Sequence, residues 1–287
     1  MTEEEQRARI MDESYLEEVE GVARTELNIN AVIPTSFDAR VKWPACTSIK
    51  TIRDQSACGS CWAVSGASAM SDRLCVQSNG KIKKFVSDAD ILACCGSFCG
   101  YGCKGGYTIR AWQFATSTGA CTGGAYAQKG VCKPYPFHPC GQHKGQPYYG
   151  NCPSSGYPTP ACEKKCQSGY TTPYASDKLR AKSSYYVTST VEAIQKEIMT
   201  NGPVQASFSV YADFYSYKSG IYVHTAGARK GGHAIKIIGW GVDKNVPYWL
   251  ISNSWNSDWG ENGLFRIARG KNECGIESRV VAGMMQV

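Results

Sequence analysis

The sequence predicts an α+β protein with its helices first and its strands last, and three features carry that prediction. After Cys61 the apolar residues Ala63, Ala67, Met70 and Leu74 recur at the spacing of an amphipathic helix. Ser189-Thr-Val-Glu192 reads as a capping box opening a helix through Ile194 and Ile198, which Asn201-Gly202-Pro203 ends. Beyond Pro203, the segments Val204–Val210, His233–Trp240, Tyr248–Ser252 and Leu264–Ala268 are rich in β-branched and aromatic residues between Gly, Asn and Asp breaks.

In chain order, residues 1–32 are polar and cysteine-free, with nine acids and three bases, whereas the remainder carries 15 acids and 28 bases. An acidic segment lying on a basic body is the expectation, with a boundary near Ile33. The first helix should begin at or beside Cys61, with Ser60 placed to cap it. From Cys132 to Tyr174 the chain turns to Gly, Pro, Cys and Tyr without periodicity, which reads as long loops tied by disulfides. At 287 residues and 43% hydrophobic composition the chain can bury one large core or two packed domains. No run approaches the roughly 18 apolar residues of a membrane span, so no membrane partner is expected. The lysines are scattered and no nucleic-acid motif appears, so nucleic acid is set aside as a partner.

Twelve of the 15 cysteines lie between Cys46 and Cys152, a density that suits disulfide stapling in an oxidising compartment. Zinc is the rival, since Cys58-Gly-Ser-Cys61 and Cys99-Gly-Tyr-Gly-Cys103 have ligand-like spacings, but repeated His/Cys pairs are missing and no metal is expected. The odd count leaves at least one thiol unpaired.

Cys61 is the thiol whose context suggests chemistry. At a helix N-terminus it feels a partial positive charge that favours thiolate. A structural disulfide or a redox pair with Cys58 are the bland readings, though no βαβ context supports the latter. Of four histidines, His233 follows Gly231-Gly232 and begins an apolar stretch, so a strand could hold its ring still. Asn253, in Ser252-Asn253-Ser254-Trp255, supplies an amide oxygen that could orient an imidazole, with Trp255 as a shield.

The pentapeptide Cys58-Gly-Ser-Cys-Trp62 preceded by Gln55, with Gly231-Gly-His-Ala234 and Asn253-Ser-Trp255, resembles the papain-like cysteine proteases. Ser36-Phe-Asp-Ala-Arg40, Cys94-Cys95-Gly-Ser-Phe-Cys99, Gly102-Cys103-Lys-Gly-Gly-Tyr107 and Cys274-Gly-Ile-Glu-Ser278 bring it nearest to the cathepsin B kind, over about Ile33 to Gly283. The resemblance implies a two-domain papain-like fold. Residues 33–180 would form mainly a helical left domain that includes an occluding loop at 140–152. Residues 181–287 would form mainly a β-barrel-like right domain, with residues 1–32 as the end of a propeptide that inhibits the enzyme.

It also implies roles. Cys61 would be the nucleophile, His233 its acid–base partner, Asn253 the orienting amide and Gln55 an oxyanion-hole donor. Gly105, Gly106, Tyr107, His143, Gly232, Ala234, Trp255 and Arg279 would bind substrate. The implied disulfides are Cys46–Cys75, Cys58–Cys103, Cys94–Cys162, Cys95–Cys99, Cys132–Cys166 and Cys140–Cys152. The implied activity is cofactor-free endoproteolysis of protein and peptide substrates, haemoglobin among them, at acid pH. The enzyme would be made as a zymogen, be open to cystatin-type inhibitors and work in a secreted or lysosomal setting. The rivals are a catalytically dead homologue serving as a binding module and a disulfide oxidoreductase.

Three positions depart from the family. Gln142 and Tyr148 stand where the occluding loop would carry a histidine to pair with Asp54 and an arginine to pair with Asp258. A more mobile loop, favoured endopeptidase action and weakened dipeptidyl carboxypeptidase action are therefore expected, with His143 kept for a substrate carboxylate or simply solvated. Arg279 replaces an acidic residue of the second subsite, where it would repel basic side chains unless it swings into solvent.

Overall fold

The structure, a computed structural model, describes residues 2–287; Met1, the first residue of the expected 1–32 segment, lies outside the described residues. The acidic leader contributes α1 (Glu3–Arg7) and β1 (Arg24–Thr25). The body begins with β2 (Phe37–Asp38), α2 (Ala39–Lys42), α3 (Thr47–Lys50), α4 (Cys61–Gln77), α5 (Asp88–Cys94) and α6 (Thr108–Ser117). Short β3 (Gly123–Gly124) and β4 (Lys133–Pro134) follow, then β5 (Tyr185–Val187), α7 (Val191–Asn201) and β6 (Val204–Tyr211). The chain ends with β7 (Ile221–Tyr222), β8 (Arg229–Asp243), β9 (Val246–Ser252), β10 (Leu264–Ala268) and β11 (Val280–Ala282). It is thus mixed α+β, helical first and stranded last.

The main sheet runs β1-β5-β11-β6-β8-β9-β10-β7, with β2 added against β8, and stays open without closing into a barrel. Its inner residues Phe208, Ile237, Trp249, Ile251 and Phe265, with Phe214 from the turn after β6, form one core, while Val64, Met70, Leu74, Ile91, Ile109 and Trp112 join α4, α5 and α6 in another.

The predicted helix begins at Cys61, yet it is not half-exposed: every residue from Cys61 to Val76 is buried. Its polar side chains are consumed internally, as burial of unpaired polar groups would demand. Asp72 pairs with Lys236 of β8 at 2.7 Å, and Arg73 pairs with Glu197 of α7 at 2.8 Å. Arg73 also donates to the carbonyls of Pro203, Gly202 and Gly283. Gln205 of β6 links the two cores, accepting from the Trp112 indole at 3.0 Å and donating to the Trp62 carbonyl at 2.8 Å.

Two caps differ from the reading of the sequence. Ser60 occupies the N-cap position of α4 but its side chain makes no cap hydrogen bond, because its hydroxyl is engaged by the Tyr135 hydroxyl at 2.7 Å. At α7 the cap is Thr190, not Ser189, and its hydroxyl accepts from the Ala193 N–H. The 132–174 region is as irregular as its composition suggests, with β4 its one strand.

Six disulfides staple the body: Cys46–Cys75, Cys58–Cys103, Cys94–Cys162, Cys95–Cys99, Cys132–Cys166 and Cys140–Cys152. Cys61, Cys121 and Cys274 are free. Cys121, Cys132 and Asp177 cluster within 4.8 Å, but Cys132 is committed to Cys166, so the trio offers no metal-binding thiolate pair.

Candidate active site

The N-terminus of α4 faces the start of the buried part of β8, which brings Cys61 beside Ala234. The backbone N–H groups of Ala234, Trp62 and Cys61 point at the sulfur and favour its ionised form. Burial outweighs them and pushes the thiol up to about 12. His233 is equally buried, and loss of solvent lowers its imidazolium to about 4 against the support of Asn253. Both groups are therefore neutral in this covered state, unlike the thiolate expected from the helix terminus alone.

The His233 Nε2–H donates to Asn253 Oδ1 at 2.8 Å, leaving Nδ1 as the buried ring nitrogen without a partner. The Trp255 ring lies 4.7 Å from the imidazole, and Tyr215 stacks on the Trp255 indole. Cys58 is bonded to Cys103, so Cys58 and Cys61 are no redox pair.

Gln55 is fully buried, with its amide held from both ends. Its Oε1 accepts from the Ser254 hydroxyl at 2.7 Å, and its Nε2 donates to the carbonyls of Cys58 and Arg9, both at 2.9 Å. The Tyr135 hydroxyl donates to the Gln55 carbonyl at 2.6 Å. Ser254 and Tyr135 are positioning residues that the sequence reading missed; Ser254, inside the Asn-Ser-Trp motif, carried a signal and Tyr135 carried none.

What covers the site is the leader. Met11 and Gly232 exchange backbone hydrogen bonds of 2.9 and 2.8 Å, and the Asp12 N–H reaches the Lys104 carbonyl at 3.4 Å. Tyr15 lies against Gly105, where a Cβ would meet its ring at 2.5 Å, and packs edge-on against Tyr107 at 5.0 Å. Leu16 covers Gly232, where a Cβ would meet its side chain at 2.9 Å. On the Gly105–Gly106 side the leader bonds to Lys104, while Gly106 lies against the Trp62 ring. Charge contributes less than expected: Glu3–Lys230 and Glu13–Arg229 are the ion pairs from leader to body among the described residues, and both are largely exposed.

Arg279 is half-buried rather than swung into solvent. Its Nε donates to the Leu16 carbonyl at 3.1 Å and one Nη to the Cys274 carbonyl at 3.4 Å. Burial lowers its pKa, with nearby Arg229 adding to the effect.

The occluding-loop region corrects the expectation of a weakly held lid. His143 is buried and donates through Nδ1 to Asp258 at 2.9 Å, while its Nε2 lies 3.9 Å from Asp54. Gln146 and Asn256 exchange amide hydrogen bonds of 2.8 and 3.1 Å, and Asn256 donates to Asp54 at 2.8 Å. One histidine and one amide pair thus take over both anchors. Gln142 bonds only within the loop, and Tyr148 is exposed. Next to this loop, Glu5, Arg9, His143, Trp255, Asp258 and Trp259 line a cavity of about 380 Å³.

A buried thiol at a helix N-terminus, set beside Ala234 and so next along the strand from a histidine whose far nitrogen an amide holds, defines the class as a cysteine protease built for peptide carbonyls. Residues 33–284 match the model of the papain family cysteine proteases, and the chain belongs to that family. Within it, the likeness is to cathepsin B-like members. The chain is 54% identical over 256 residues to "Cathepsin B-like cysteine proteinase 4" of Caenorhabditis elegans, spanning 89% of this chain and 76% of that one. It is 51% identical to the "Gut-specific cysteine proteinase" of the same organism, spanning all of this chain and 85% of the relative. Among solved structures, "proCathepsin B S9 from Trypanosoma congolense" superposes with a TM-score of 0.85 at 34% identity, covering 100% of this chain and 90% of that one.

Proposed function

We propose that this chain is the precursor form of a cathepsin B-like endopeptidase, with residues 1–32 as the end of an inhibitory propeptide. Residues 33–180 and 181–287 are its two halves. The observation that carries the reading is the Arg9 carbonyl, which accepts from Gln55 Nε2 at 2.9 Å: a peptide oxygen occupies the donor meant for a substrate's carbonyl. Once the leader leaves, water returns to the dyad and Cys61 can pass its proton to His233 Nδ1. The thiolate then attacks the substrate carbonyl carbon, and the developing oxyanion is held by Gln55 Nε2 and the Cys61 N–H. His233 gives its proton to the leaving amine, and water hydrolyses the thioester. Asn253 keeps Nε2 protonated throughout, so that Nδ1 is the nitrogen that exchanges the proton.

Gly105, Gly106, Tyr107, Gly232 and Ala234 form the walls along which an extended substrate lies, as Met11 to Leu16 do here. Leu16 next to Arg279 argues for apolar residues in the second subsite. His143, on its loop, serves a substrate's terminal carboxylate and gives a secondary dipeptidyl carboxypeptidase activity. The setting is an acidic secreted or lysosomal compartment, protein substrates include haemoglobin, and cystatin-type inhibitors would compete with the leader for the cleft. Labelling with the epoxide E-64 tests the reading: Cys61 should react after acid removal of residues 1–32 and resist before it. Equal labelling of the intact chain would refute the covering role.

A further inference from the structure

The leader does more than cross the cleft. Beyond Leu16 it turns back and joins the sheet: β1 pairs parallel with β5, Arg24 opposite Tyr186 and Thr25 opposite Val187. The Tyr186 and Thr188 N–H groups donate to the carbonyls of Ala23 and Thr25, each at 3.0 Å. On its other side β5 pairs with β11, so β5 becomes a sheet edge when the leader is gone.

At that edge the side chain of Arg24 is received by the body. One Nη donates to the Val187 carbonyl and the Ser189 hydroxyl, both at 2.9 Å, and the other reaches the Ser278 carbonyl at 3.3 Å. Its guanidinium carbon stands 5.4 Å from the Tyr186 ring centre. Glu18, which also pairs with Arg24, belongs to the leader, whereas the three acceptors and the ring belong to the body. Such a set suits a guanidinium: two nitrogens of a planar fork reach acceptors on separate segments while its face meets an aromatic ring, which a single ammonium cannot do. Ser278 directly precedes Arg279, whose Nε holds the Leu16 carbonyl, so this pocket adjoins the place where Leu16 lies.

We propose that the β5 edge with Tyr186, Ser189 and Ser278 is an exosite of the processed enzyme for an extended polypeptide bearing an arginine, occupied by the leader until it is cut away. This rests on the precursor reading above. An extended segment would add to β5 through its backbone and seat one arginine among the Val187 carbonyl, the Ser189 hydroxyl and the Ser278 carbonyl. The consequence is a preference for long, arginine-bearing substrates that short peptides do not report.

The test uses the acid-processed enzyme and a family of long peptides sharing one cleavage site. They carry Ala-Arg-Thr, Ala-Lys-Thr or Ala-Ala-Thr at graded distances from the scissile bond. The arginine series should show, at one distance, a KM about tenfold lower than the lysine and alanine series, with kcat unchanged. Ser189→Lys should erase that advantage and Ser189→Glu enlarge it, while neither changes hydrolysis of a dipeptide fluorogenic substrate. Equal KM in all three series, or an advantage indifferent to both Ser189 variants, would overturn the exosite. So would a processed enzyme that dimerises through this edge in a Ser189-dependent manner, because a second copy would then be the occupant. Mass analysis separates this from the precursor reading. Should acid leave residues 1–32 attached, that reading fails, and the same peptides are then run on a body trimmed near Ile33 by pepsin, where a retained arginine advantage upholds the exosite.

Discussion

Acid should uncover this enzyme chiefly through its own histidine. Covered by the leader, His233 is held near 4 instead of the ordinary 6.5, because burial penalises its charged form. The uncovered state therefore binds a proton more readily. The cover is at full strength above pH 6.5, weakens as pH falls, and loses this contribution by about pH 4. At about 1.4 kcal/mol per pH unit, the loss amounts to about 3 kcal/mol, with opening about tenfold more frequent per unit. Two leader carboxylates act lower: Glu3, bonded to Lys230, and Asp12, bonded to Ser14, are both held below their ordinary values of 4.5 and 3.8. The window from pH 6.5 to 4.5 leaves those two charged, and comparison with a His233 variant separates the histidine from every other group. Hydrogen exchange across residues 9–16, corrected for intrinsic rates, measures opening in a Cys61→Ser chain that cannot cut itself. Protection should fall steeply across that window and stay flat when His233→Asn is added. Parallel pH dependence in the two chains would refute the reasoning and return the switch to the leader's acids.

Gln55→Ala should lower kcat of the processed enzyme by about 10²–10³ with little change in KM, since the lost donor serves the oxyanion; steady-state kinetics on a fluorogenic dipeptide decide it. Arg279→Glu should raise the rate on an Arg-Arg substrate relative to Phe-Arg by at least about tenfold, and an unchanged ratio would show that Arg279 does not shape that pocket. His143→Ala removes the bond to Asp258, so endopeptidase activity should rise and removal of C-terminal dipeptides fall in paired assays. Asp72→Ala should destabilise the fold by about 3–5 kcal/mol in denaturant unfolding, because it strands Lys236 in the core, and Asp72→Leu with Lys236→Met should restore much of the loss.

The elements legible in the sequence were those whose pattern is local. The residues of α4, α7, β6, β8, β9 and β10 announce themselves by period, cap or β-branching, and short strands such as β5 and β11 exist only because neighbours complete them. Cys61, His233, Asn253 and Gln55 could be picked out because each lies in a short motif. Their state could not. A helix N-terminus argues for a thiolate, and burial in the folded chain makes the thiol neutral. The loop was misread for a similar reason. Counting lost partners at Gln142 and Tyr148 suggested slack, but His143 and Gln146 reach Asp258 and Asn256 from one turn away. The partner of Lys236, a lysine within an apolar strand, could not be read from the strand itself, because its counterion lies 164 residues earlier on the opposite helix.

That counterion has a mechanical meaning. The helix bearing the nucleophile is fastened to the strand bearing the base by Asp72–Lys236, and to α7 by Arg73–Glu197, all four side chains being buried. The two walls of the cleft are thereby tied to one another beneath its floor. A hinge that widened entry between the halves would have to break these buried pairs, whereas what lies across the opening is the leader along its length and the disulfide-closed loop at one end. Held this way, the cleft should admit a single extended strand more readily than a folded polypeptide.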